Sequence, residues 1–186
     1  MASIEKALKP TLQFEGVYSN DPVDPGGETY CGISRVHNPN WEGWSYVDSG
    51  EHPPATIVHD YYKARYWDVF KGDEISSQIV ASLMFDFAVN AGVRKSIQYS
   101  QRAASIVRMY RGGKPLKING QYDPMTHSVV AAIGVDDKMW ALYFLGSVIS
   151  HYESITLRNN KLSRFSKGWA NRAAKNLSTV LRQWDS

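Results

Sequence analysis

The sequence predicts a mainly α-helical protein with a small β element near its N-terminus. Apolar residues recur at helical spacing in seven segments, whereas residues 29–34 combine β-forming residues with a glycine. Across 186 residues the chain is 43% hydrophobic and 21% charged, a globular balance that excludes a disordered or fibrous chain. The length predicts one domain, or two small ones that share an interface.

The N-terminal part of the chain is expected to contain a helix, a turn and a short strand or hairpin arm. Helical spacing of apolar residues predicts the first helix over residues 3–15, with Ser3 as its N-cap. Pro10 predicts a kink in this helix or a later start. Turn-forming residues fill 19–27, and residues 36–55 show no periodicity, so we expect a long, functional loop there.

Six further helices are expected from capping and stop signals. Asp123 followed by Pro124 is a typical helix start, and glycines mark several helix ends. The helices are expected between Thr56 and Gly72, between Ser76 or Ser77 and Gly92, and over residues 96–110, 124–133, 137–154 and 168–184.

Charge is distributed unevenly along the chain. Residues 1–93 contain 6 Lys and Arg against 13 Asp and Glu, a balance of −7, whereas residues 94–186 contain 15 against 5, a balance of +10. A basic half favours a polyanionic partner such as an anionic cell wall or lipopolysaccharide; the alternative is that the two halves attract each other. The single Cys31 excludes an intramolecular disulfide. No apolar run is long enough to span a membrane and no secretory signal is recognisable, so we expect synthesis in the cytoplasm.

Two acidic residues near the glycine-rich turn are candidates for acid–base chemistry. Glu15 closes the first helix, where a carboxylate opposes the negative end of the helix dipole; partial burial would raise its pKa further and let it donate a proton. Asp24 follows among polar neighbours, where it would stay ionised. Glycosidic cleavage requires two such carboxyl groups. A surface acid and an Asx-turn are the alternative interpretation of the same spacing.

A second observation concerns the helix that follows Ser77. At 100° per residue from Ile79, Asp86 falls at about 340° and Asn90 at about 20°, inside the apolar stripe of the helix. Burial of these polar side chains is costly unless they are hydrogen-bonded, so they either tie the helix to a neighbouring loop or line a cleft.

Other common sites are not indicated. The five histidines lack metal-ligand spacing, no phosphate-binding glycine loop is present, and no G-x-S-x-G motif supports a serine hydrolase. We therefore expect neither a metal nor an organic cofactor.

The residues from Glu15 to Ile33 closely resemble the opening signature of glycoside hydrolase family 108, E-G-G-Y-x-N-D-P-x-D-P-G-G-x-T-x-x-G-I. Residues 66–68 and 85–92 are similar to later blocks of that family, and residues 119–120 and 167–172 to the peptidoglycan-associated region that usually accompanies it. Val17 departs from the signature, which has a second glycine there; a β-branched residue resists positive φ, so the local backbone is expected to differ.

The resemblance implies a lysozyme-like helical fold and a muramidase that cuts the β-1,4 bond after N-acetylmuramic acid in peptidoglycan. It implies Glu15 as the catalytic acid, and the spacing to Asp24 and Thr29 is similar to the Glu-Asp-Thr triad of phage lysozymes, although the second gap is one residue shorter. Substrate contacts are expected at five positions: Tyr18, Asn20, Tyr30, Asp86 and Asn90.

The expected organisation is a muramidase region over residues 1–93 and a helical peptidoglycan-associated region over 94–186, packed together as one monomeric unit. The expected role is that of a phage or prophage endolysin, made in the host cytoplasm and acting in the periplasm or on the wall, with no nucleic-acid partner. Two alternatives remain open: a lytic transglycosylase, and a non-catalytic protein that binds cell wall or another polyanion through its basic half.

Overall fold

The computed structural model describes residues 1–20 and 27–182, apart from the side chains of Phe14 and Glu15. Eight α-helices and three short strands lie in these ranges, in the order α1 (Ile4–Glu15), β1 (Tyr18–Ser19), β2 (Thr29–Tyr30), β3 (Ile33–Ser34), α2 (Trp44–Asp48), α3 (Ala55–Tyr62), α4 (Gln78–Ala91), α5 (Val93–Tyr110), α6 (Pro124–Ala131), α7 (Asp137–Arg158) and α8 (Ser166–Arg182). A π-helical turn, Lys63–Trp67, continues α3, and short 3₁₀ segments join other helices: Asp68–Phe70, Gly72–Glu74, Gly134–Asp136 and Asn160–Phe165. The predicted fold class, mainly α with a small early β element, is confirmed.

The β element is a three-stranded antiparallel sheet in the order β1-β2-β3. Tyr18 pairs with Tyr30 across the first strand pair, and Thr29 pairs with Ser34 across the second. Between β2 and β3, Cys31 has φ 46° and Gly32 has φ 79°. Two consecutive positive φ values are those of a type I′ turn, the two-residue connection that matches the twist of paired strands. Residues 29–34, expected to form a short strand or one arm of a hairpin, therefore form a complete hairpin of two short strands.

Several predicted boundaries are corrected by the structure. Trp44–Asp48 forms a short helix inside the expected loop, and α5 starts at Val93, three residues before the predicted start. The helix expected from Thr56 to Gly72 keeps α-helical hydrogen bonding only as far as Tyr62. Pro10 does not delay α1, which begins at Ile4.

The capping predictions for α4 and α6 are confirmed. The Ser77 hydroxyl accepts a hydrogen bond from the Val80 amide, and the Asp123 carboxylate accepts one from the Thr126 amide. Ser3 precedes α1, but its hydroxyl donates to the Glu5 carboxylate instead of capping a backbone amide.

One apolar core joins the two halves of the chain. Its buried side chains extend from Ala2 in the N-terminal half to Val180 in α8, and α4 contacts α1, α5 and α7. Residues 1–93 and 94–182 therefore pack on each other through shared core side chains. Among the described residues, no helix combines the length and the apolar character needed to span a membrane.

Candidate active site

The helix that carries Glu15, α1, lies beside α4 and runs parallel to it. The sequence separation between facing residues of the two segments is constant. The Ser3 amide donates to the Gln78 side chain at 2.8 Å, and the Thr11 hydroxyl donates to the Asp86 carboxylate at 3.3 Å. Both pairs are separated by 75 residues in sequence. One helical turn further, the same offset places the backbone of Glu15 beside that of Asn90.

At this level α1 and α4 both end, and each is followed by a glycine with positive φ. Gly16 follows α1 with φ 72°, and Gly92 follows α4 with φ 91°. Val17 is not among the residues with positive φ, because the left-handed conformation falls on Gly16 instead. The β-branched residue is therefore accommodated without strain at φ. Glu15 is the last residue of α1 and lies at the negative end of its dipole, as predicted.

Asp86 forms a buried ion pair with Arg172 of α8. Arg172 Nε lies 3.0 Å and 3.1 Å from the two carboxylate oxygens, and a terminal guanidinium nitrogen lies 2.8 Å from one of them. Asp86 is 7% exposed and Arg172 is 5% exposed. Asn176 donates to the same carboxylate at 2.8 Å, and the Thr11 hydroxyl shares its single proton between the Ala7 carbonyl at 2.9 Å and the Asp86 carboxylate at 3.3 Å.

These contacts assign Asp86 to a tie within the core. The tie joins three helices, α1, α4 and α8, whereas the sequence suggested a helix and a loop. Because Thr11 lies one turn before Glu15, the tie fixes the last turn of the helix that carries the candidate acid.

Sequence analysis missed Arg172 and Asn176 as site-supporting residues. The signal was present: at 100° per residue from Trp169, Arg172 falls at about 300° and Asn176 at about 340°, beside the stripe formed by Ala173, Leu177 and Val180. The same helical-wheel argument that identified Asp86 would have identified its partners.

Asn90 occupies a different environment from Asp86. It is half-buried, and its side-chain oxygen accepts a hydrogen bond from the Tyr152 hydroxyl at 2.8 Å. The Tyr152 ring stacks on Trp169, with ring centroids 5.3 Å apart and planes 6° apart. This support orients the Asn90 amide, and its nitrogen has no hydrogen-bond partner among the described residues. Asn90 can therefore offer a donor at the end of α4, beside Glu15.

The small sheet is held together by a charged cluster around Glu28. Arg35 contacts Glu28 at 2.7 Å and Asp48 at 2.6 Å, and the Tyr18 hydroxyl donates to Glu28 at 3.0 Å. The hydrogen bond to Glu28 raises the pKa of Tyr18. The Tyr62 hydroxyl donates to the Cys31 carbonyl at 2.7 Å, which attaches the hairpin turn to α3.

The remaining predicted site residues lie on or next to this sheet. Tyr18 and Asn20 are exposed, and the half-buried Thr29 donates from its hydroxyl to the Gly27 carbonyl at 3.1 Å. Tyr30 is 6% exposed and packs against Trp41 and His52, so its ring belongs to the core of the sheet region rather than to an open sugar-binding surface. Asp24 lies outside the described residues.

The segment expected to be a functional loop forms one wall of a pocket of about 490 Å³. Asn38 accepts a hydrogen bond from Tyr61 at 3.1 Å, and the Arg65 guanidinium lies 5.4 Å from the centre of the Tyr61 ring. Burial raises the pKa of Tyr61 to about 12, so its hydroxyl remains a hydrogen-bond donor at physiological pH. The indole nitrogen of Trp41 is buried here and has no hydrogen-bond partner in the described part of the chain. Within the described ranges, no group of three or more His, Cys, Asp or Glu side chains is arranged to hold a metal ion.

Comparisons with known proteins agree with the resemblance seen in the sequence. Residues 8–92 match the family model described as Glycosyl hydrolase 108. The chain is also similar to a solved structure of Brucella abortus SagA, with a TM-score of 0.70 and 23% sequence identity over 96% of this chain and 93% of that one. At this identity the structural likeness supports the fold. No curated protein matches the chain.

Proposed function

We propose that this protein, whose residues 8–92 match the glycosyl hydrolase 108 model, hydrolyses the β-1,4 bond after N-acetylmuramic acid in peptidoglycan. The observation that carries the proposal is the place of Glu15, the last residue of α1, immediately before the sheet and in register with Asn90 by the offset between α1 and α4. A substrate strand lying across the ends of α1 and α4 would meet both residues at once.

In the proposed mechanism Glu15 is the general acid. It donates its proton to the glycosidic oxygen as the bond to the departing sugar breaks. The ring left behind carries oxocarbenium-like positive charge, which Asp24 either stabilises directly or relieves by positioning a water molecule. Thr29, on β2, orients that water. A carboxyl separation of roughly 6.5–9.5 Å corresponds to inversion and about 5–5.5 Å to retention.

We assign substrate positioning to residues whose side chains are accessible. Asn90 offers its amide nitrogen to a sugar hydroxyl or acetamido oxygen, because Tyr152 already occupies the amide oxygen. Tyr18 and Asn20 are exposed at the start of the sheet and contact neighbouring sugars. Asp86 is a positioning residue, because it holds the last turn of α1, which carries Glu15.

The test replaces Glu15 by glutamine, which keeps its size and removes the titratable proton. We expect Glu15→Gln to lower the rate of release of soluble fragments from purified cell walls at least a hundredfold. Glu5→Gln, at the exposed start of the same helix, is the matched control and should retain wild-type activity. Equal activity of the two variants would refute the assignment of the acid.

Product analysis separates the two catalytic alternatives. Mass spectrometry should find reducing N-acetylmuramic acid ends that carry the added water. Products with 1,6-anhydro ends would instead establish a lytic transglycosylase. A protein that binds walls with steep salt dependence and releases no sugar would be a non-catalytic binder.

The basic half of the chain is proposed to assist adsorption to the anionic wall. Four cationic side chains around the junction of α7 and α8 are exposed: Arg158, Lys161, Arg164 and Lys167. Neutralising all four should weaken wall adsorption at low salt and have little effect at high salt.

We further propose that the enzyme serves as a phage or prophage endolysin, made in the cytoplasm and acting on the wall.

A further inference from the structure

A groove of about 490 Å³ lies between α5 and α7, away from the residues used above. Tyr99 and Arg102 line its α5 side, and Tyr143, Ser150 and His151 line its α7 side. Hydroxyl and aromatic side chains therefore line one open surface of the basic half, with Tyr143 and Ser150 exposed and Tyr99 and His151 half-buried.

One end of this groove lies at the candidate catalytic end of the molecule. The Lys95 ammonium is 3.4 Å from the His151 imidazole, and Lys95 belongs to the first turn of α5, directly after Gly92. His151 precedes Tyr152, whose hydroxyl holds Asn90. From Leu142 to Ser154 the groove follows α7 for about 18 Å of helix. A ligand anchored near Asn90 could extend into it.

One cation, Arg102, lines the groove, and a second, Lys95, contacts the lining residue His151. Arg102 is exposed and lies 5.4 Å from the centre of the Tyr99 ring. Among the described residues, no carboxylate lies within ion-pair distance of Arg102 or Lys95, whereas Arg35, Arg111 and Arg172 each contact one. The residues that line the groove include no aspartate or glutamate.

We propose that this groove binds the carboxylates of the peptide stems that branch from N-acetylmuramic acid, an inference that rests on the proposed function. The positive charge at the groove favours the peptide stem over the glycan as its ligand. The glycan is neutral, because the lactyl carboxyl that bears the stem is in amide linkage, whereas the stem carries free carboxylates. Arg102 is free to form a bidentate contact with a carboxylate, and Lys95 adds a second cation near the glycan. Burial, and to a smaller extent Lys95, lowers the pKa of His151, so its neutral ring can hydrogen-bond to the peptide backbone.

The experiment measures binding directly with two soluble probes, a synthetic stem tetrapeptide and a neutral chitooligosaccharide. The double variant Lys95→Gln/Arg102→Gln should weaken tetrapeptide binding about fivefold or more and leave chitooligosaccharide binding unchanged. On purified walls it should raise KM with kcat retained. Lys114→Gln/Lys117→Gln makes the same change in net charge at exposed positions outside the groove, and should leave tetrapeptide affinity within twofold. The thermal midpoints of both double variants verify that they fold.

Three results would overturn the proposal: no tetrapeptide binding by the wild type, an equal loss in both double variants, or a loss of chitooligosaccharide affinity. The last would assign the groove to the glycan. Because tetrapeptide binding requires no turnover, a failure of this proposal can be distinguished from a failure of the proposed hydrolase activity. A wild type that binds the tetrapeptide through Arg102 and releases no sugar would refute the hydrolase and retain the groove.

Discussion

Removal of the Arg172 side-chain charge is the perturbation whose energetic cost follows most directly from the structure. Arg172→Met keeps the length and much of the apolar volume of the side chain. Asp86 would remain 7% exposed, with hydrogen bonds from Asn176 and Thr11 and without its cation. Breaking a buried pair by deleting one partner costs about 3–5 kcal/mol. For a domain of this size each kcal/mol lowers the melting temperature by about 2–4 °C, so the expected drop is about 6–20 °C.

The assay is urea unfolding monitored by circular dichroism, with calorimetry for the melting temperature. The control is the double variant Asp86→Leu/Arg172→Met, which removes both charges. Because an apolar pair of similar volume often replaces a buried ion pair at little cost, we expect the double variant to lie within about 2 kcal/mol of the wild type. If Arg172→Met lost less than about 1 kcal/mol, or if the double variant lost the sum of the two single losses, the tie would not carry the coupling assigned to it.

Three further predictions concern separate parts of the molecule. Tyr152→Phe removes the donor that orients Asn90; it should cost about 1 kcal/mol in urea unfolding and raise KM for wall fragments, and an unchanged KM would remove Asn90 from the substrate site. Gly72→Ala places a Cβ atom 2.2 Å from the Trp67 ring and should cost about 1–3 kcal/mol. Gly168→Ala places its Cβ atom more than 4 Å from every described group outside the local helix, so it should be neutral or slightly stabilising; equal melting temperatures would contradict this. Burial raises the pKa of the Cys31 thiol, so native protein should react with iodoacetamide near neutral pH much more slowly than urea-unfolded protein, and comparable rates would show an accessible thiolate.

The sequence predicted best where local signals were strong. Ser77 and Asp123 cap helices as expected, because a cap involves residues within one turn of each other. It predicted poorly where an element is too short for periodicity to appear. Ser19, the second residue of the strand Tyr18–Ser19, falls within the predicted turn, and the five-residue helix Trp44–Asp48 falls within the predicted loop.

Asp86 illustrates a second limit, which concerns partners rather than elements. Its position in an apolar stripe correctly predicted a buried, hydrogen-bonded side chain. Its counterion lies 86 residues later in the chain, and one sequence contains no signal that joins two such positions. For Glu15, the helix end was predictable, whereas its proximity to Asn90 depends on the parallel packing of α1 and α4.

The pairing of Asp86 with Arg172 has a consequence for protein engineering. The segment that matches the glycosyl hydrolase model ends at residue 92, yet the guanidinium that neutralises its buried carboxylate comes from the last described helix. A chimera that joins residues 1–93 to a foreign targeting module would leave Asp86 without its counterion. A chimera that gives this protein a new targeting module must therefore retain α8. Otherwise Asp86 has to be redesigned together with the new module.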